Sequence, residues 1–313
     1  MTAPRGQRGV ALITALLAVA LVTVLAVELV SRQHMDIRRT QNLLARDQAY
    51  AYARGVEEWA IAMLVEDRRQ NDHAVDHLNE PWAQAITPPP FEGATMRLRL
   101  EDLQGRFNIN TLVTGPGEDD ETAGEQLTAL LLALEIEPPL VQAAADWIDV
   151  APEVRFPDGA GDDWYSRLDP PYRVANRPMA SASELRLVRE VDDAQWRRMA
   201  PYVTALPEAT PINVNTAPPP VLQAVAPGLS ADAAEDLAAD RPEDGWESVD
   251  AFLAHPAVAG AALEPGHLSV GSNYFLLRSE ISLGRVTIRT ESVVYRQGET
   301  GGAVIMRRQG FFD

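Results

Sequence analysis

The densest chemistry in the chain lies in DWIDVAPEVRFPDGAGDDWY, residues 146–165. Asp146, Asp149, Asp158, Asp162 and Asp163 supply carboxylates, and Gly159 and Gly161 let the backbone turn tightly between them. Clustered carboxylates repel one another unless a cation intervenes. Oxygen-only ligands on a flexible loop suit Ca²⁺, which takes about six to eight oxygens. The spacing is not that of an EF-hand, so two readings stand: a cation site and a solvated acidic loop.

Other candidate chemistry is sparse. His73 and His77 have the i, i+4 spacing of a metal pair but lie in a polar stretch, RRQNDHAVDHLNE, and read as a solvated surface pair. With no cysteine there is no disulfide framework, thiolate site or cysteine nucleophile. No nucleophile elbow, P-loop or dinucleotide fingerprint occurs, so the sequence points away from an enzyme. Forty-five acids stand against 27 bases, all of them arginine, for a net charge of −18. Such a field repels nucleic acid and attracts cations. One stretch, INVNTAPPPVLQAVAPGLSADAAEDLAADRPEDGWESVDAFL, resembles a helix-hairpin-helix module, which would make a membrane-anchored nucleic-acid-binding protein the alternative. From Pro218 to Glu264, however, it carries nine acids and one arginine, the wrong sign for phosphate.

The elements that must position these groups follow from hydrophobic periodicity. ATMRLRLEDLQGRFNINT alternates, and reads as a strand and hairpin turning at Gln104-Gly105. Alternation returns in YFLLRSEISLGRVTIRTESVVYRQ, with a turn at Gly298–Gly302 before a last short strand. Between them the pattern is helical, with Ser181 and Glu184 at capping-box spacing and Asp192 or Asp193 as a cap for the helix carrying Trp196. Strands, then helices, then strands predict an α+β fold: a large α-helical domain inserted into a small antiparallel sheet. Asn108-Ile109-Asn110-Thr111 recurs as Asn213-Val214-Asn215-Thr216, and reads as a repeated capping turn with each Thr as N-cap.

A different signal opens the chain. Val10 to Val30 is apolar except for Thr14, Thr23 and Glu28, long enough to span a bilayer core of roughly 30 Å. No proline interrupts Val10–Arg69, so one helix of about 60 residues is expected, about 90 Å long. Its later part should pack through Leu43, Tyr50, Ala53, Val56, Ala60 and Met63. Arg5 and Arg8 precede the apolar run, which keeps that end cytoplasmic and places the bulk of the chain across the membrane.

Arg8-Gly9 followed by VALIT and a long apolar helix resembles the class III leader of type IV pilins and pseudopilins. DWID…GAGDDWY, LDPPYRVANRPMASASELRLV and INVNTAPPPVL resemble the K-class minor pseudopilins of type II secretion systems, and the likeness runs from leader to last strand. The resemblance implies a pilin-like arrangement: leader 1–9, membrane segment 10–30, amphipathic helix 31–78, linker and first strands 79–111, inserted helical domain 112–270 and final strands 271–313. It implies cleavage between Gly9 and Val10 by a prepilin peptidase and N-methylation of Val10. It also implies a single-pass anchor in the inner membrane of a Gram-negative bacterium, with the bulk of the chain periplasmic. The implied role is structural, at the tip of the pseudopilus, with I-class and J-class minor pseudopilins and other secretion-system components as partners and no nucleic acid. Calcium in the insert is a feature of that family, with Asp149, Asp158, Asp162 and Asp163 as the expected ligands and Asp146 as an outlying fifth. Val150 and Ala151 stand where acidic or polar residues would be expected. Thr14 is the fifth residue after the cleavage point, where most pilins carry glutamate, and the resemblance ties this neutral residue to a tip position.

Overall fold

The computed structural model describes residues 7–70, 74–84, 86, 93–151, 153–226, 228–261 and 263–310, with side chains from Val10 onward. Helix α1 (Gln7–Gln70) runs unbroken for 64 residues, about 96 Å. Its apolar stretch is bare: Val10, Leu17 and Leu25 each expose about 60–70% of their surface to the outside of the fold. The expected continuation to residue 78 stops at Gln70. Beyond it Ala74 takes a left-handed φ of 53°, and Arg68 Nη1 donates to the Ala74 carbonyl, turning the chain back.

After α1 come β1 (Ala94–Asp102), β2 (Phe107–Asn108), β3 (Val113–Gly115), β4 (Glu118–Asp119), α2 (Glu121–Ala133), α3 (Leu140–Ile148), α4 (Asp162–Tyr165) and α5 (Asp193–Met199). Then follow β5 (Val203–Thr204), β6 (Ile212–Asn213), α6 (Pro219–Val225), α7 (Ala231–Ala239), α8 (Val249–Leu253) and β7 (Leu268–Ser269). The chain closes with β8 (Tyr274–Leu283), β9 (Val286–Gln297) and β10 (Gly301–Gln309). The main sheet has the antiparallel order β1-β8-β9-β10. Residues 103–273 therefore leave one strand and return to its neighbour. Their own core gathers Phe107, Leu130, Trp147, Tyr165, Val221 and Phe252.

The expected hairpin at Gln104-Gly105 is not formed. β1 finds its partner in β8, and β2 pairs in parallel with β5. Gly105 instead packs against the Thr216 backbone and hydroxyl so closely that a Cβ would collide.

Helix α1 lies on the sheet through Ala49, Ala53, Val56, Ala60 and Leu64, packed on Leu98, Phe275, Leu277, Ile281 and Val294. The small residues in this row let the backbones approach. Ala53, Val56 and Ala60 are on the expected face with Tyr50 and Met63 half-buried beside them, Leu64 joins the row, and Leu43 is more than half exposed. One acid joins the row. Glu57 is buried, accepts the Ser292 hydroxyl at 2.5 Å and pairs with Arg307 of β10 at 2.7 Å, locking helix to sheet. The segment read as a linker also joins this core: Trp82 is fully buried, edge-on to Phe275 at 5.1 Å, with its indole N–H on Glu80.

The repeated Asn-x-Asn-Thr turn is more than a repeated cap. Asn108 Oδ1 accepts from Asn110 N, and Asn213 Oδ1 accepts from Asn215 N. Asn110 bonds both the N–H and the carbonyl of Met179; Asn215 does the same with Trp246. Each turn follows a two-residue strand in parallel pairing, β2 with β5 and β6 with β7. The helical region is thus built from two halves of like plan. Neither Thr is the N-cap: Asn108 caps the short 3₁₀ helix Ile109–Leu112, and Thr216 donates to Asp102.

Candidate functional site

In the acidic loop, α3 delivers Asp146 and Asp149 at its C-terminal end, where both are buried. The group between them is a guanidinium. Arg155 places Nη1 2.8 Å from Asp146 Oδ1, Nη2 2.8 Å from Asp149 Oδ2 and Nε 2.8 Å from Asp119 Oδ1. The remaining lone pairs are also used. Asp146 accepts from the Ala160 and Arg155 amides, and Asp149 from the Gly117 and Ala151 amides. Burial pushes the Asp149 carboxyl up, but the Ala151 amide, Arg155 and the Gly117 amide outweigh it and hold it below its usual range. Burial works to lower Arg155, and its bonds to Asp119, Asp146 and Asp149 raise it overall.

Asp158, Asp162 and Asp163 do not join this pair. Asp158 bonds Gln142 through its backbone N–H, while Asp162 and Asp163 are exposed in the first turn of α4, Asp162 accepting from the Val174 amide. Among the described residues, no three of the five expected ligands bring carboxylate oxygens within 4.8 Å of one another. As placed, the expected set does not fit one calcium ion, because a fixed cation of the chain already sits between the two buried acids. Gly159 serves a close approach as well as a turn: a Cβ there would strike the Asp146 carboxylate and the Arg155 carbonyl.

Three carboxylates do converge elsewhere, at Asp67, Asp76 and Glu80, beside the C-terminal end of α1. Two arginines enter the same space. Fully buried Arg296 places Nη2 2.6 Å from Asp76, donates from Nη1 to the Leu64 carbonyl at 3.0 Å and stacks over Phe275. Arg68 pairs with Asp76 at 3.1 Å. Asp76 also accepts from the Ser272 amide, and its carbonyl accepts from Asn213. The Asn213 amide continues to buried Asp102, which collects Thr216, Ser272 and the Gln104 amide. Burial raises the Asp102 carboxyl, against those hydrogen bonds. One polar chain thus ties the end of α1, the end of β1, the second half of the helical region and the start of β8. Nothing in the sequence marks this node except acids and amides standing next to apolar strands.

Asp67 is its least satisfied member. Its Oδ2 is buried without a hydrogen bond, 3.5 Å from Arg296. Burial, then Glu80 and Asp76, push its carboxyl up to about 7, against Arg296 and Arg68. The folded chain then keeps a proton that the unfolded chain releases near pH 4, so this group costs stability as pH rises from about 4 towards 7. Asp67→Asn should therefore melt a few degrees above the parent at pH 8 and level with it at pH 4. An Asn variant that melts below the parent at pH 8 would mean that the Arg296 ion pair outweighs burial.

His73 lies outside the described residues. His77 is not a solvated partner on a helix: it follows the turn after α1, is largely buried and faces Glu80 at 3.7 Å. In the stretch 218–264, α6 and α7 are joined through Gly228 at φ 89°. The single arginine there, Arg241, is turned inward onto the Val214 and Ala217 carbonyls and is lowered to about 10 by burial. It is not presented to a phosphate.

At the other end of the chain, Val10 and Thr14 lie on the exposed apolar part of α1. The Thr14 hydroxyl bonds back to the Val10 and Ala11 carbonyls at 3.0 Å, so its one donor is satisfied within the helix.

A bare apolar helix, an antiparallel sheet packed on its later half and a two-part helical region define a helix-on-sheet subunit. Two family models described as type II secretion system (T2SS), protein K match residues 105–208 and 212–271. Type II secretion system protein K of Pseudomonas aeruginosa is 39% identical over 97% of this chain and 93% of its own length. The protein of the same name from Klebsiella pneumoniae is 34% identical over 98% and 97%. A chain in the crystal structure of the GspK-GspI-GspJ complex from the enterotoxigenic Escherichia coli type 2 secretion system superposes with a TM-score of 0.78 at 29% identity. That match covers 88% of this chain and all of that one. The chain belongs to the protein K family of the type II secretion system. The boundary between the two family matches falls between the two Asn-x-Asn-Thr halves.

Proposed function

We propose that the chain is a structural minor pseudopilin capping the tip of the secretion pseudopilus, needed for moving folded proteins across the outer membrane. The observation that carries this reading is the placement of residues 103–273. They form a helical mass joined at the C-terminal end of a pilin-like helix-and-sheet unit, far along α1 from its apolar segment. A subunit stacked above would meet that mass. The likeness to a chain of the GspK-GspI-GspJ complex supports I-class and J-class minor pseudopilins as partners. Affinity purification of the tagged chain from its host should recover both; recovery of neither would count against the reading.

The apolar part of α1 is a single-pass inner-membrane anchor in this account, with residues 31–313 periplasmic. The fibre-core position of Thr14 fits the tip. A buried charge without a partner is costly, and a tip subunit has no neighbour above to pair a glutamate at that position. Processing at Gly9 removes the leader. Intact-mass analysis of protein from the native host should give a chain beginning at N-methylated Val10. A chain beginning at Met1, or one beginning beyond Val30, would contradict this.

A further inference from the structure

One large groove among the described residues has the opposite sign to the molecule itself. It measures about 1040 Å³ and lies between the sheet face turned away from α1 and the wall formed by residues 180–186 and α5. The strand register builds its floor. Arg99 of β1 stands directly opposite Arg278 of β8, Arg278 opposite Glu291 of β9, and Glu291 opposite Arg308 of β10. The next row sets Arg97 opposite Glu280 and Glu280 opposite Arg289. Leu276, Val293 and Met306 form an apolar row beside them.

The charges in this groove do not balance. Glu101 alone serves Arg99 at 3.2 Å, Arg278 at 2.6 Å and Arg106. Glu280 is shared by Arg97 and Arg289, and Glu291 takes Arg278. Arg308 reaches the Ser181 hydroxyl at 3.2 Å and no carboxylate among the described residues. Seven arginines thus line the groove with three glutamates, in a chain of net charge −18; one of the seven, Arg186, pairs with an acid outside the lining, Asp193. Like charges directly opposite on neighbouring strands are destabilising. Arg99 and Arg278 keep that arrangement, and Arg99 is 75% exposed.

We infer that this groove binds an acidic segment of a partner protein. Guanidinium groups recognise carboxylates through paired N–H bonds, and a second carboxylate beside Arg99 and Arg278, which share one oxygen of Glu101, would offset their repulsion further. The apolar row gives the aliphatic parts of a peptide a surface, which a bare inorganic anion would not use. A nucleic acid fits less well, because its dense backbone charge would meet the acidic surface around the groove. The inference is independent of the tip assignment, since it rests on this face alone.

Fluorescence anisotropy with the full-length chain in zwitterionic detergent micelles tests it. A fluorescein-labelled hexaglutamate peptide should bind saturably at low salt, the matching hexaglutamine peptide should not, and added salt should weaken binding. Arg99→Glu combined with Arg308→Glu should weaken it about tenfold or more, each tenfold being about 1.4 kcal/mol. Arg99→Gln should weaken binding without lowering the melting temperature, because it relieves the opposed pair; this separates lost recognition from lost folding. Absence of saturable peptide binding would overturn the inference. So would unchanged binding by the charge-reversed variant, or binding of a single-stranded oligonucleotide in place of the peptide.

Discussion

Arg155→Met should destabilise the chain by about 3–5 kcal/mol, the usual loss when one member of a buried charge cluster is removed. The reason is what remains. Asp146 and Asp149 are 6% and 1% exposed, and without the guanidinium they become two neighbouring buried anions. In thermal unfolding the midpoint should fall by on the order of 10 °C. Adding Asp146→Asn and Asp149→Asn should restore a large part of the loss, since groups in one network are not additive. Calcium enters the same experiment. With Arg155 in place, EDTA should leave the melting curve unmoved. In Arg155→Met, added Ca²⁺ should raise the midpoint, because a ligand that binds only the native state stabilises it. A fall of the parent's midpoint on chelation would return the acidic loop to calcium.

Arg296→Leu should cost a similar amount, about 3–5 kcal/mol, at the other charged centre. Arg296 has no exposed side-chain surface, and it holds Asp76, the Leu64 carbonyl and the Ser272 carbonyl together. Among the described residues, Arg68 would be left as the only cation on Asp76, at the longer distance of 3.1 Å. Hydrogen exchange gives the local readout: the Ser272 amide, bonded to Asp76, should lose protection before the amides of β9 do. Arg296→Lys should recover only part, because an ammonium lacks the planar fork. Unchanged protection at Ser272 in Arg296→Leu would mean that Arg68 suffices.

Much of this architecture is legible in the residues, for reasons that differ by element. The long helix reads directly because nothing in Val10–Arg69 can break it and its first third is apolar on every side. The late strands read from their alternation, and Phe275, Leu277 and Ile281 do share the face against α1. The partner of β1 does not read, because a strand's alternation carries no information about which strand lies beside it. Glycine after Gln104 looks like a hairpin turn, yet it answers the close approach of Thr216, more than a hundred residues away. The acidic loop shows the same limit. Its carboxylates are visible as a cluster, but Arg155 lies among them as one more charged residue until α3 and the loop fold back and aim it inward. The Asn-x-Asn-Thr repeat was legible as a motif. Its meaning as two like halves depends on the parallel pairing of β2 with β5 and of β6 with β7, which two-residue strands do not announce.

The groove of arginines was present in MRLRLEDLQGR and in YFLLRSEISLGRVTIR as the polar side of alternating strands. Only the register sets Arg99 opposite Arg278 and gathers the surplus charge in one place. Single strands read as solvent-facing; the assembled sheet makes a lined trough.

The central claim is that this chain ends a fibre. The most direct measurement is its position on isolated pseudopili, with a gold label attached through a tag at the end of the chain that follows β10 and viewed by electron microscopy. The account predicts labels at one end, with about one copy per fibre. Labels repeated at regular intervals along the shaft would contradict it.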